Sequence, residues 1–371
     1  MKKIICFFIA LFFIFSFTGC ANKKDKITNV NEFEITKANK MVETYIKYYM
    51  KNDLTSMDYM YSKDFKNKVK KQNEPSLRIT GYKIMDSTEM GTKANIKVNV
   101  VSVDEASPYT STDIYTFKVK KEKGAYVIDD IQTNNEKEVY IYKRSLMVRA
   151  RDEAMSNVLI NLRGIPEYYF EKSDIANVNK LKVSKDGFKN VSLSYTADNI
   201  AVSTQGANAF VGICPITDLQ QQSGGGDQGG GGGQGGSSGV SQIEGMGGTQ
   251  DDLQPLKVSA QALTAIDVYK DSEVQKMAFS RDEKNIAVQY KGSEGTNLKI
   301  YAIQSGKILS KDIEKKFPKE KFDLKINMFD DENLIFESSP KEKYTNDDSA
   351  KKLIGMWKWN IKTQKIEKQN E

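Results

Sequence analysis

Histidine is missing from all 371 residues. That excludes Ser-His-Asp and Cys-His catalysis and any imidazole proton shuttle near neutral pH. It also excludes the usual zinc sites, which need His or several Cys. Cysteine is scarce: Cys6, Cys20 and Cys214 are the only three. A strong charge of one sign is lacking too. The net charge is +6, and about +4 once Lys2 and Lys3 are set aside, spread along the chain. This is not the concentrated basic stripe of a nucleic-acid binder, so no nucleic-acid partner is expected. The run Lys66-Asn67-Lys68-Val69-Lys70-Lys71 is read as a solvated face. Carboxylate chemistry of the glycosidase kind stays open, but no pair of acidic residues stands out. The expectation is a non-enzyme with no cofactor and no metal.

Only one long apolar run exists, Ile4 to Phe17. At about 14 residues it is short for a bilayer span of roughly 20. After Lys2 and Lys3 it has the form of an export signal, with small residues following. The run ends in Phe17-Thr18-Gly19-Cys20, which resembles the lipobox of bacterial lipoproteins, with Phe17 where that family usually carries an aliphatic. The resemblance implies a signal peptide over 1–19, diacylglycerol on the Cys20 thiol, and cleavage that makes Cys20 the new N-terminus. The acylated Cys20 would then tie the protein to the lipid bilayer, since two acyl chains give stable anchoring and one is marginal. Residues 20–33, polar and charged through Asn22, Lys23, Lys24, Asp25 and Lys26, are read as a flexible tether. Lys-, Asn- and Ile-rich usage fits a low-GC Gram-positive cell, with the protein on the extracytoplasmic face of the cell membrane.

With Cys6 in the signal and Cys20 lipidated, Cys214 has no partner for a disulfide inside the mature fold. It lies in Phe210-Val211-Gly212-Ile213-Cys214 and is read as a buried small hydrophobe rather than a nucleophile.

The length allows two domains. In the first, over 34–135, Thr36 to Lys51 reads as an amphipathic helix. Ala38, Met41, Val42, Tyr45, Ile46 and Tyr49 recur at three- and four-residue spacing, and core packing is their expected role. Asn52-Asp53 breaks this helix, and a second helical pattern runs through Leu54, Met57, Met60, Tyr61, Phe65 and Val69. The period then becomes two, over 77–82, 94–100, 114–120 and 125–131, with turns at Gly91, Pro108 and Gly124. Helices followed by an antiparallel meander make an α+β arrangement with the helices on one face of a curved sheet. That order, closing in Tyr126-Val127-Ile128-Asp129-Asp130-Ile131, resembles the NTF2-like superfamily. Catalytic members of that superfamily usually carry an Asp-His pair in the cone, so the missing histidine implies a binding or structural cone here.

The second domain, over 136–371, shows internal repetition. Residues 191–202, with Ser194, Asp198 and Asn199, recur over 277–288, with Ser280, Asp282 and Asn285. A fainter copy covers 326–336, with Asp330 and Asn333. Further strands follow over 298–308 and 356–366, and 157–165 is a candidate earlier copy. Strand, polar turn and strand in succession resemble the blades of WD40-like or TolB-like β-propellers, in which stacked sheets share a core. With three copies visible, the expectation is a mainly-β repeat domain, a partial propeller or a β-sandwich. Fourteen glycines crowd positions 223–248. That composition cannot offset its chain entropy, so 218–252 is expected to be a disordered insertion in a surface loop. It has no Gly-Lys-Ser/Thr ending and is not a phosphate loop.

Two functions are carried forward. One is a non-enzymatic binding or scaffold protein for an envelope partner, either a protein or a cell-wall polymer. The alternative is a small-molecule receptor or enzyme using the cone of the first domain. A sizeable apolar cavity there would favour the alternative; a filled core would favour the scaffold.

Overall fold

The structure is a computed structural model, and it describes residues 33–69, 77–171, 180–216 and 263–369. Cys20, the signal reading, the tether reading except Phe33, and the glycine-rich stretch lie outside the described residues.

Helix α1 covers Ile35–Met50 and buries Ala38, Val42, Tyr45 and Ile46. That spacing places one stripe of the helix on the sheet. Asn52, in the left-handed region at φ 57°, turns the chain after the helix. Asp53 then accepts the Ser56 amide at 3.0 Å and caps α2, Leu54–Asp58. Ser62 accepts the Phe65 amide at 3.1 Å and caps α3, Lys63–Lys68. These caps satisfy amide groups that a helix start cannot pair internally.

A six-stranded antiparallel sheet follows in chain order. Its strands are β1 (Leu77–Met90), β2 (Lys93–Asp104), β3 (Tyr109–Glu122), β4 (Ala125–Tyr142), β5 (Ser145–Ala150) and β6 (Asn157–Asn161). A short hairpin pairs β7 (Tyr168–Phe170) with β8 (Lys180–Lys182). The four-stranded second sheet contains β9 (Gly187–Leu193), β10 (Asn199–Gln205), β11 (Asn208–Pro215) and β12 (Thr264–Lys270). The third holds β13 (Glu273–Phe279), β14 (Asn285–Gly292) and β15 (Gly295–Ala302). Helix α4 (Lys311–Lys316) leads into the fourth, made of β16 (Phe322–Phe329), β17 (Asn333–Pro340), β18 (Gly355–Asn360) and β19 (Ile366–Lys368), with α5 (Asp348–Lys351) between β17 and β18.

No break falls at the expected boundary of 135/136. Strand β4 passes through it, exposed over Gln132–Asn135. The two halves of β4 serve different cores. Ile128 packs under the helices with Ala38, Tyr45, Ile96 and Phe117. Val139 packs with Leu146 and Leu159 against Val191, Leu193 and Val202 of the second sheet. A polar surface stretch of a long strand has the composition of a linker, and only pairing with β3 and β5 reveals it as strand.

The repeats become sheets that meet face to face around an axis. The first strand of each sheet, β1, β9, β13 or β16, stands at the inner edge. These strands run in one direction. Asn190 and Thr196 of one sheet meet Val274 and Glu283 of the next. Lys276 and Arg281 in turn meet Ile326 and Asp331. Successive sheets with their first strands innermost and co-directed make the C-terminal region β-propeller-like, and Tyr82 of the N-terminal sheet packs on Arg281 of the third sheet. The third core, around Phe317, packs that ring against Phe322, Phe336 and Trp357 at edge-on centroid distances of 5.7, 5.6 and 5.2 Å.

Candidate functional site

The inner strands bring two groups of polar residues to the two ends of the axis. At the end where the strands finish, Arg281, on the third sheet, contacts residues on or next to the first, second and fourth. Its Nη1 lies 2.6 Å from Asp331 Oδ1 beyond β16, and its guanidinium sits 4.7 Å from the Tyr82 ring centre on β1. It also interacts with the hydroxyls of Tyr82 and of Tyr195, the latter just beyond β9. Burial pushes the Tyr82 hydroxyl up to about 12, so both phenols stay neutral and can hydrogen-bond the cation. Gly81 makes this approach possible: a Cβ there would lie 2.2 Å from Tyr195 Oη. Beside it, Glu283 accepts from the Thr196 amide at 2.6 Å and the Thr196 hydroxyl at 2.9 Å. This end is a closed hub.

The opposite end is open. A cavity of about 320 Å3 is lined by Met50, Arg78, Ile79, Glu105, Lys276, Lys325, Ile326, Asn327 and Glu337. Lys276 and Arg78 are its two half-buried charges. Lys276 Nζ donates to the carbonyls of Ile326 at 3.3 Å and Asn327 at 3.0 Å. Burial lowers its ammonium to about 8, against the opposing pull of Glu105. Lys325 and Glu337 face each other across β16 and β17. Among the described residues, no ion pair neutralises Arg78, Lys276 or Lys325.

A repeated stitch explains how Lys276 reaches this place. Asn99 Nδ2 on β2 donates to the Tyr195 carbonyl, and Asn190 Nδ2 on β9 donates to the Val274 carbonyl. Lys276 occupies in its repeat the place of Asn190, one residue before the Val191 or Met277 that opens each copy. Each side chain binds the backbone of the following sheet, so burial of these backbone groups leaves them paired.

The space between the N-terminal helices and the curled first sheet is filled. Tyr45, Ile46, Met57 and Tyr61 fill the space above Ile96, Val98 and Phe117, and the Tyr45 and Tyr61 hydroxyls lie 2.8 Å apart. Met41 and Tyr49 pack at its margin. Cys214 is fully buried, and burial pushes its thiol up to about 11, the state of an inert core sulfur. None of the cavity's charges was singled out in the sequence. The only available signal was Lys276, a charge inside the inward strand Val274–Phe279 at the place of Asn190.

No family model matches this chain, and no curated protein matches it. Solved structures similar to it include TolB from Acinetobacter baumannii, 9% identical, covering 72% of this chain and 55% of that one, at a TM-score of 0.31. The chain thus spans little more than half the length of that relative. The β-propeller domain of Myceliophteria thermophila Cps50 (Swd1) is 10% identical over 68% of this chain and 78% of its own, with a TM-score of 0.25. A putative 6-phosphogluconolactonase from Bacteroides uniformis is 9% identical over 76% and 81%, with a TM-score of 0.24. At these scores the likenesses carry no argument, and the propeller-like description rests on strand order and direction.

Proposed function

We propose that the chain is a lipid-anchored extracytoplasmic lipoprotein, held to the cell membrane through acylated Cys20. It acts as a non-enzymatic binding or scaffold protein for an envelope partner. The observation that carries the scaffold part is the filled cone: Tyr45, Ile46, Met57 and Tyr61 occupy the volume that a receptor or enzyme of the cone type would leave for its ligand. The finer fold readings belong to the same proposal. Helices before an antiparallel meander make the first module NTF2-like, and the second is a propeller that borrows the first module's sheet to complete its ring.

Geometry adds a direction to the anchor. Phe33, where the tether would meet the fold, packs edge-on against Tyr126 at a centroid distance of 5.1 Å. Tyr126 stands at the start of β4 and Tyr142 at its end, roughly 53 Å apart along the path of the strand at about 3.3 Å per residue. The β4–β5 hairpin therefore lies at the end of β4 opposite to the point of attachment.

Crosslinking on intact cells expressing the full chain tests this reading, with acyl mass measured on the mature N-terminus. The expected result is a diacylglyceryl Cys20 and a reproducible envelope partner. Cys20→Ser should release the protein and lose both. An unacylated wild-type chain, or no partner recovered in repeated experiments, refutes the proposal.

A further inference from the structure

We infer that the open cavity at the starting ends of β1, β13 and β16 binds an oxyanion, a phosphate or carboxylate group, with Lys276 as its central donor and Arg78 and Lys325 as flanking charges. The inference goes beyond the envelope role and does not rest on it.

Three observations lead there. The first is that stitching the sheets does not call for a charge. At the equivalent place Asn190 binds the following backbone with a neutral amide. An ammonium at Lys276 therefore carries a desolvation cost that the stitch alone does not explain. The second is donor bookkeeping. A lysine has three N–H donors, and two of them go to the Ile326 and Asn327 carbonyls. Among the described residues the third has no acceptor, and Lys276 lines the cavity.

The third observation is the balance of charge and space. Three cations line the cavity and form no ion pair among the described residues, against two carboxylates, Glu105 and Glu337; Lys325 and both carboxylates are exposed, while Arg78 and Lys276 are half-buried. At about 320 Å3 the cavity falls at the lower end of small-ligand sites. Met50, Ile79 and Ile326 give it an apolar wall. An oxyanion would accept the free Lys276 N–H as a charge-assisted hydrogen bond, and the planar Arg78 guanidinium suits either group. The charges facing Lys276 are Arg78 from β1, Glu105 from the turn between β2 and β3, Lys325 from β16 and Glu337 from β17. Burial lowers the Lys276 ammonium, and Glu105 counteracts this by favouring the protonated form. The site is therefore charged at neutral pH and loses its central charge in mildly alkaline solution.

The test is calorimetric titration of the whole mature chain with inorganic phosphate and, separately, acetate, at ionic strength held constant with chloride. A saturable single site for either anion at pH 7 is expected. Preference for phosphate points to a phosphate-bearing source, and preference for acetate to a carboxylate. Lys276→Met should weaken binding roughly tenfold or more, as loss of a charge-assisted contact predicts. Glu105→Gln should tighten it, and wild-type affinity should fall toward that of Lys276→Met between pH 7 and 9.5. Should Lys276→Met fail to fold by circular dichroism, Arg78→Ala carries the same expectation of weaker binding. No saturable binding of either anion, or binding insensitive to these substitutions and to pH, overturns the inference.

Discussion

Arg281→Ala is the substitution that most directly probes how the sheets are held together at the closed end of the axis. At the closed end of the axis the guanidinium, on the third sheet, contacts residues on or next to the first, second and fourth. Its side chain is only 10% exposed, whereas its partner Asp331 is 78% exposed. That asymmetry decides where the energy lies. An ion pair with one open partner contributes about 0–1 kcal/mol. The contact with the Tyr82 ring adds about 0.5–2 kcal/mol. The larger loss is to the Tyr82 and Tyr195 hydroxyls, both on buried residues, since a stranded buried hydroxyl costs about 1–3 kcal/mol. Relief of the guanidinium's own desolvation offsets part of this. A net loss of about 2–4 kcal/mol follows, and Asp331→Ala should cost about 1 kcal/mol or less. Urea unfolding followed by tryptophan fluorescence reads the difference through Trp357 and Trp359. With a slope of about 3 kcal/mol per molar, Arg281→Ala should lower the midpoint by roughly 1 M. Equal shifts for the two variants, or a shift below about 0.3 M for Arg281→Ala, would refute the assignment of the energy to the buried phenols.

Two further outcomes follow from buried groups. Lys276 has its ammonium lowered from 10.5 to about 8 in the folded chain. Between these values the unfolded chain holds a proton that the folded chain does not, so stability rises with pH through that window and the full penalty applies below about pH 8. The penalty is at most about 3–4 kcal/mol. Lys276→Met should therefore be at least as stable as wild type at pH 7, with the gap closing as pH rises to 10.5; a gap constant across urea titrations at pH 7, 8.5 and 10 contradicts this. Cys214, buried with its thiol raised to about 11, should resist thiol reagents in the native protein at pH 8 and react fully in denaturant. Rapid native labelling would place it at an accessible position instead.

Periodicity located much of the local structure. The three- and four-residue spacing of Ala38, Val42, Tyr45 and Ile46 marked α1 to within one residue of its ends. The strands at 77, 94, 114 and 125 were legible as alternations, but each runs beyond the stretch that alternates: the added residues of β1 and β4 are mostly exposed, while those of β2 and β3 include the buried polar Ser102, Thr110, Ser111 and Thr112, and neither kind carries an alternating hydrophobic signal. The repeated Ser-turn-Asn pattern also had a local cause. Ser194 and Ser280 amides donate to Asn199 and Asn285 carbonyls at 2.8 and 2.9 Å, closing equivalent hairpins. In the fainter copy Asp330 closes on Asn333, a shorter turn that explains the weaker resemblance.

The missing histidine, the lone Cys214 of the core and the repeat were properties of the chain itself, because composition and periodicity need no neighbours. The arrangement of the sheets was not. Which sheet stands beside which depends on side chains such as Asn99, Asn190 and Lys276 reaching a backbone far away in sequence, 84 residues away in the case of Asn190. Nothing in the sequence marked Arg281 out from the chain's other charges, and burial against Tyr82 made it a hub. Lys276 likewise acquired its meaning only when Arg78 and Lys325 were brought to the same cavity. A charge's cost and its use are set by what surrounds it, and only the packed sheets supply those surroundings.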